Sequence, residues 1–294
     1  MANEKKATVR DIAAKAGVSV ATVSYVLNDK KDTKISDATR KKVLQVANLL
    51  NYSIPEKYKN IDARKSTYTI GVMYQLKADT PSRNMEIMTL INLLAERFIR
   101  IGFNCQLIPI ESETEYNKPV QGLDGIIAID LESSIFKQMS GHYFIPILCL
   151  DMIINDFLFY QIHTDMEILV SQAKEHLGDD FYLVTDKYNN EGYRNYISSV
   201  VPDEKTIYFS DLEREGFSKL KGKKALVFGS HLGMILMQYA NCKEIAIISS
   251  SDAPNSYFKA KNIHHDIERK ANLAMNIMMN ALEKKFDVKH EYKV

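Results

Sequence analysis

Residues 8–28 read TVRDIAAKAGVSVATVSYVLN. Thr8 is a helix cap, and Asp11 three positions on completes a capping-box pair. Ile12, Ala13 and Ala16 form the inner face of that first helix. Gly17 suits the left-handed conformation that ends a helix, and Ser19 caps the next one. On the second helix Val23, Val26 and Leu27 share one side at 100° per residue. Ala21, Ser24, Tyr25 and Asn28 share the other. A third helix from Ser36 offers Val43, Leu44, Ala47 and Leu50 to close a small core. Two short helices broken at one glycine predict a helix-turn-helix, whose outer helix face fits the major groove of duplex DNA.

Charge supports this reading. The formal net charge is +1, yet residues 1–65 hold 14 Lys/Arg against 7 Asp/Glu. A basic head on a mildly acidic body suits a module that meets phosphate while the body stays off it. Lys30, Lys31 and Lys34 lie in the loop after the second helix, placed for phosphates. The chain has 294 residues, 46% of them hydrophobic and 26% charged. No apolar run reaches the roughly 18 residues of a membrane span. No apolar N-terminal segment reads as an export signal, so a cytoplasmic protein is expected, with Cys105, Cys149 and Cys242 as reduced core thiols.

The head resembles that of the LacI/GalR family of bacterial transcription regulators. The resemblance rests on A-x-x-A-G-V-S, T-V-S-x-V-L-N, S-x-x-T-R and L-N-Y, in that order, with a one-residue insertion near Ser53. It implies that Val20, Ala21 and Tyr25 read base edges. It further implies that Thr8, Val9, Ser19, Thr22, Ser24, Asn28, Ser36, Thr39 and Tyr52 touch phosphate or support the helix. Many members carry arginine where this chain has Tyr25, so base reading here leans on apolar contact, symmetry and DNA shape. Residues 55–66, PEKYKNIDARKS, match the family's hinge. There Asp62 stands where a leucine wedge enters the minor groove, so weaker operator bending is expected, with Ile61 or Tyr58 as a wedge in shifted register or a plain linker as the alternatives.

The body alternates apolar runs with helix-period segments. Strands are expected at 68–74, 105–110, 125–130, 145–151, 181–186, 206–209, 224–229 and 244–249. Helices are expected at 85–101, 165–177, 190–199, 231–240 and 266–285. Continuous apolar strands between helices predict parallel, doubly wound sheets. The fold class is therefore α/β: a small all-α helix-turn-helix head plus, by the family resemblance, a two-lobed body like a periplasmic binding protein. The expected division is a head at 1–54, a linker at 55–66 and an effector and dimerisation body at 67–294. Lobe one is expected at about 67–152 plus 253–285, and lobe two at about 157–250 plus the C-terminal strand.

The resemblance places Tyr74, Asn189, Arg194, His231 and Asp252 around an effector cleft. Sugar-binding members often carry an arginine where this chain has Asn189, and an N-D pair where it has Ser230 and His231. Loss of that arginine fork points to a different effector, sugar-like or of another class, or to none. No G-x-S-x-G, phosphate loop or G-x-G-x-x-G occurs, and no convergent acid, base or nucleophile set is found, so an enzyme is not expected. No cofactor is implied. His264, His265 and Asp266 read as a solvated helix start rather than a metal site. The resulting expectation is a sequence-specific DNA-binding regulator, read as a repressor, working as a homodimer on a pseudo-palindromic operator. The alternative is a regulator without ligand control, answering to its own concentration or to a protein corepressor.

Overall fold

The computed structural model describes residues 8–27, 35–36, 39–40, 42–43, 46–47, 50, 67–111, 119–156, 158–250, 260–283 and 289–294. Asn28, the loop lysines 30, 31 and 34, Leu44, Tyr52, the hinge 55–66 and Asp252 lie outside these residues.

Helix α1 (Val9–Ala16) starts at Thr8, whose hydroxyl accepts from the Asp11 N–H at 3.3 Å while Asp11 accepts from the Thr8 N–H at 2.8 Å. Two otherwise orphaned donors are satisfied, as a capping box requires. Gly17 ends the helix at φ 65°, where a Cβ would be strained. Ser19 then caps α2 (Val20–Leu27), its Oγ accepting from the Thr22 N–H at 3.1 Å. Ile12, Ala13, Ala16, Val23, Val26 and Leu27 are buried together with Val43, Val46 and Ala47 of a further helical segment. Three short helices thus share one apolar core.

Lobe one is a six-stranded parallel sheet in the order β11-β5-β4-β3-β1-β2. Its strands are β1 (Thr69–Tyr74), β2 (Asn104–Pro109), β3 (Gly125–Ile129), β4 (Ile147–Leu150), β5 (Tyr160–His163) and β11 (Glu291–Lys293). Helices α3 (Pro81–Arg100), α4 (Ser133–Ser140) and α9 (Ile267–Leu282) cover it. Alternate strand residues face opposite layers. Ile70, Val72, Ile127, Ile129, Leu148 and Leu150 pack with Leu90 and Leu94 of α3 and Ala274 and Ile277 of α9. Met73, Ile126, Ala128, Ile147 and Cys149 pack with Ile135, Phe136 and Met139 of α4. Both faces of β1, β3 and β4 are buried, which is why those runs read as continuously apolar, while the edge strand β2 is largely exposed.

Lobe two repeats the plan as five parallel strands in the order β10-β9-β8-β6-β7. These are β6 (Tyr182–Thr185), β7 (Thr206–Tyr208), β8 (Lys224–Phe228), β9 (Glu244–Ser249) and β10 (Lys261–His264). Its helices are α5 (Met166–Leu177), α6 (Glu191–Val200), α7 (Phe209–Glu215) and α8 (Ser230–Tyr239). Disregarding β11, both sheets share one strand order. Each has a switch point, between β1 and β3 in lobe one and between β6 and β8 in lobe two, where chains leave in opposite directions and open a crevice.

The chain passes between lobes at 164–165 and again at 265–266. Both crossings carry helix caps: Asp165 accepts from the Ile168 N–H at 3.2 Å and Asp266 from the Arg269 N–H at 2.8 Å. Lobe membership differs from expectation at three strands. β5 belongs to lobe one and β10 to lobe two, and the C-terminal strand, expected in lobe two, joins lobe one. There β11 pairs in parallel with β5, matching Tyr292 with Ile162, and Val294 bridges His163 and Asp165 through backbone hydrogen bonds of 3.0 and 2.8 Å. The reason is an edge: without β11, the buried strand β5 would end the sheet with unpaired backbone groups. The His290 ring also stacks on Tyr160, 4.9 Å between centroids.

Truncation after residue 289 should therefore destabilise lobe one by about 2–3 kcal/mol, read as a fall of roughly 5–10 °C in Tm. An unchanged Tm would place the C-terminal strand elsewhere.

Candidate nucleic-acid interface and interlobe cleft

The outer face of α2 presents Val20, 46% exposed, and Tyr25, 39% exposed, with Ala21 also exposed. Their neighbours are fixed from beneath. Ser19 Oγ lies 2.9 Å from Thr22 Oγ1, and the same pattern recurs where Ser36 Oγ accepts from the Thr39 N–H at 3.2 Å. Thr8, Ser19 and Ser36 are exposed, while Thr22, Ser24 and Thr39 are half-buried. Val9 is half-buried and packs against the head's core, so its direct part is in holding the helix. Arg10 and Lys42 stand exposed on the same head. The arrangement offers a helix face with one ring, one hydroxyl and two small apolar side chains, flanked by hydroxyls and cations suited to phosphate.

The crevice between the lobes holds a buried charge cluster. Arg83, in the first turn of α3, is only 5% exposed. Its Nε donates to Asp130 Oδ2 at 3.0 Å, Nη1 to Glu86 Oε2 at 3.1 Å and Nη2 to Asp151 Oδ2 at 3.0 Å. Asp130 and Asp151 follow β3 and β4 directly, at the carboxyl ends of the strands where doubly wound sheets bind ligands. They are also the only non-glycine residues with positive φ among the described residues, 47° and 50°. Lys270 of α9 donates to Asp151 Oδ1 at 2.6 Å and to Thr164 Oγ1 at 2.7 Å, and that hydroxyl meets His265 Nε2 at 3.0 Å.

Lobe two closes on this cluster. The Asn189 and Asn190 N–H groups donate to Asp130 Oδ1 at 2.9 and 3.0 Å, and Asp186 Oδ2 accepts from the Arg83 N–H at 2.9 Å. The Tyr188 ring lies 4.3 Å from the Arg83 guanidinium carbon. Asn190, which caps α6, also accepts from the Ile153 N–H of lobe one at 3.0 Å. Two glycines make the approach possible. A Cβ on Gly229 would stand 2.0 Å from Ser82 Oγ, and one on Gly192 would stand 2.2 Å from the Ile153 carbonyl oxygen.

Burial sets the proton affinities. It pushes Glu86 up to about 7, against the pull of Arg83, and leaves Glu86 Oε1 without a hydrogen-bond partner among the described residues. It raises Asp130 and Asp186 as well. Asp151 is equally buried, yet Lys270 and Arg83 hold it well below the usual carboxylate range. His265 is pushed down to about 3 by burial and by Lys270, so it is neutral at physiological pH. His265 is thus a buried hinge residue rather than part of a solvated helix start.

The effector candidates separate. Asn189 and Arg194 line a polar cavity of about 430 Å³ at the cleft mouth, with Lys77, Glu132 and Lys187. Arg194 is committed there to backbone, its Nη1 donating to the carbonyls of Tyr188 and Asn189 at 2.6 and 2.7 Å. Tyr74 is 8% exposed and packs in the lobe-one core, and neither it nor His231 lines that cavity. His231 opens α8 and bears on Asp186.

Residues 8–55 match the family of bacterial regulatory proteins, lacI family. Over 226 residues the chain is 26% identical to the HTH-type transcriptional repressor PurR of Pasteurella multocida, covering 75% of this chain and 62% of that one. Over 138 residues it is 44% identical to catabolite control protein A of Streptococcus mutans, covering 46% and 37%. The fold resembles a lac repressor dimer bound to operator and the anti-inducer ONPF, with TM-score 0.56, 18% identity and coverage of 99% of this chain and 96% of that one. A putative transcriptional regulator LacI from Bacillus cereus subsp. cytotoxis aligns with TM-score 0.59 at 14% identity, over 78% and 95% of the two chains. The chain thus carries a lacI-family head at residues 8–55, and its fold is that of the regulators just described. It spans 62% and 37% of the length of the two curated relatives just described.

The sequence pattern does not single out Arg83, Glu86, Asp130, Asp151, Thr164, Asp186 or Lys270. Two sequence signals do point to the cluster: the strand runs GIIAID and IPILCLD each end in aspartate, which a buried parallel strand places in the crevice. The partner Arg83 gives no such signal.

Glu86 yields a pH test. Its folded-state pKa of about 7 exceeds the ordinary 4.5, so the native state holds a proton there that the unfolded chain lacks. The stability tied to that proton is full below pH 4.5 and is lost as pH rises through 7. Asp151 and Lys270, which face Glu86, bear on the same titration. Urea unfolding at pH 5 and pH 8 should show a loss of roughly 2–3 kcal/mol in the wild type that Glu86→Gln removes. Equal pH dependence in both proteins would contradict this assignment.

Proposed function

We propose that this protein is a sequence-specific DNA-binding transcriptional repressor that binds a pseudo-palindromic operator as a homodimer. The observation that carries the reading is the outer face of α2, where Val20, Ala21 and Tyr25 stand exposed on a helix pinned by capped turns at Thr8 and Ser19. One head has little surface for tight binding, and a two-fold pair placed one helical turn apart doubles it. The names of the relatives, two of them transcriptional repressor and catabolite control protein, support regulation of transcription over catalysis. The base readers are Val20, Ala21 and Tyr25; Thr8, Ser19, Thr22, Ser24, Ser36 and Thr39, together with Asn28 and Tyr52, serve the phosphates. No helix among the described residues is long and apolar enough to cross a membrane. The protein acts in the cytoplasm, where its operator lies.

For the body two readings stand: a cleft that takes a small, sugar-like effector, and a cleft that takes none. The buried Arg83 cluster favours the second. For the first there remain the 430 Å³ cavity at the mouth and a larger one of about 810 Å³ beside Ile153, Gly192 and Asn195.

Gel-shift titration of the full chain with selected operator DNA tests the reading. Log affinity should fall steeply and linearly with log salt, as phosphate neutralisation requires. Tyr25→Ala should weaken the selected operator by roughly tenfold or more and leave non-specific binding unchanged. Equal loss on selected and random DNA would remove Tyr25 from base reading. No preference for any fragment would overturn the proposal.

A further inference from the structure

We infer that Arg83 is a built-in ligand of the interlobe cleft: its guanidinium sits between the carboxyl ends of β3 and β4 and the Tyr188 ring of lobe two, and holds the lobes closed without a bound effector. The inference deepens the effector-free reading above and rests on it. It is carried by geometry. The guanidinium makes one bond to each of three carboxylates, from α3, β3 and β4, and its face is covered by Tyr188 of lobe two. A bound small molecule in such a crevice would be held by the same kind of contacts: convergent charged groups at strand ends and an aromatic cover.

The same contacts couple the lobes. Asp130 accepts Arg83 with one oxygen and the Asn189 and Asn190 amides of lobe two with the other. The backbone of Arg83 itself donates to Asp186 of lobe two. Opening the cleft would strip Asp130 of two amide donors while its guanidinium partner stayed behind, and would hydrate one side of a buried ion cluster. Removing one partner from such a cluster is strongly destabilising. Two further contacts seal the rim, Asn189 Nδ2 on the Gln75 carbonyl at 3.3 Å and Asn190 Nδ2 on the Leu131 carbonyl at 3.4 Å. A ligand shifts a conformational equilibrium only through differential affinity for its two states. With the closed state already supplied with its ligand, a small molecule has little population left to move.

Amide hydrogen exchange of the DNA-free full chain, with residue-level fragmentation, tests this directly. In the wild type the Asn189 and Asn190 amides should exchange as slowly as those of β6 and β8. In Arg83→Ala they should exchange roughly 100-fold faster or more, with Tm lowered by about 10 °C. Millimolar ethylguanidinium, which replaces the missing head group, should restore protection and Tm in the variant and change neither in the wild type. Ethylammonium should not restore them. Should Arg83→Ala fail to fold, Arg83→Lys serves in its place, since one ammonium cannot reach three carboxylates, and a tenfold or greater acceleration is expected there. Fast exchange of Asn189 and Asn190 in the wild type would overturn the inference. So would unchanged protection in the variant, or no response to ethylguanidinium. Because no DNA is present, each of these results is distinct from a failure of the head to select an operator.

Discussion

A guanidinium taken out of water must be met by carboxylates, and three meet Arg83. That requirement organises the body. One carboxylate comes from the same helix, three residues on; the other two come from the ends of adjacent strands and adopt left-handed backbone to reach it. Strain of that kind persists only where the surroundings over-determine it. The second oxygens of Asp130 and Asp151 are then the natural acceptors for what packs around them, the amides of lobe two on one and the hinge groups Thr164 and Lys270 on the other. The lobe-to-lobe arrangement follows from the acceptors that a single buried cation leaves over. The network is weak evidence for stability in itself, because desolvation offsets much of its Coulomb gain. What it specifies is one arrangement of two lobes.

Much of the fold was legible because both faces of each sheet are covered. Eight apolar runs announced themselves, and the helices between them fixed parallel order. β5, β10 and β11 were missed for a physical reason: their sequences, YQIH, KNIH and EYK, are rich in polar residues and form no apolar run. The head was legible down to its caps, since capping boxes and a left-handed glycine are local in sequence. The cleft was not. Arg83 stands 47 residues from Asp130 and 68 from Asp151, and no local pattern links them. Family positions led to Asn189 and Arg194, which do reach the mouth of the cleft, and to Tyr74, which the core absorbed. His231 and Asn189 keep buried polar atoms without partners among the described residues, so the mouth retains polar character even where the centre is filled.

The two halves of the molecule therefore use charge differently. Among the described residues the head exposes Arg10 and Lys42, where each can meet phosphate at little desolvation cost. Among its described residues the body buries two cations, Arg83 and Lys270, and neutralises them internally. In the proposed reading this makes the head the variable part and the body a fixed frame that sets the spacing of two heads. Regulation would then come through the amount of protein or a partner docked on its surface, and not through a metabolite in the cleft.

The most direct measurement of that claim is selection of genomic DNA fragments by the full chain, followed by sequencing, with and without a cellular small-molecule extract. The account predicts one enriched pseudo-palindrome, the same in both arms and with equal enrichment. An operator whose enrichment rises or collapses when the extract is present, or the absence of any enriched fragment, would contradict it.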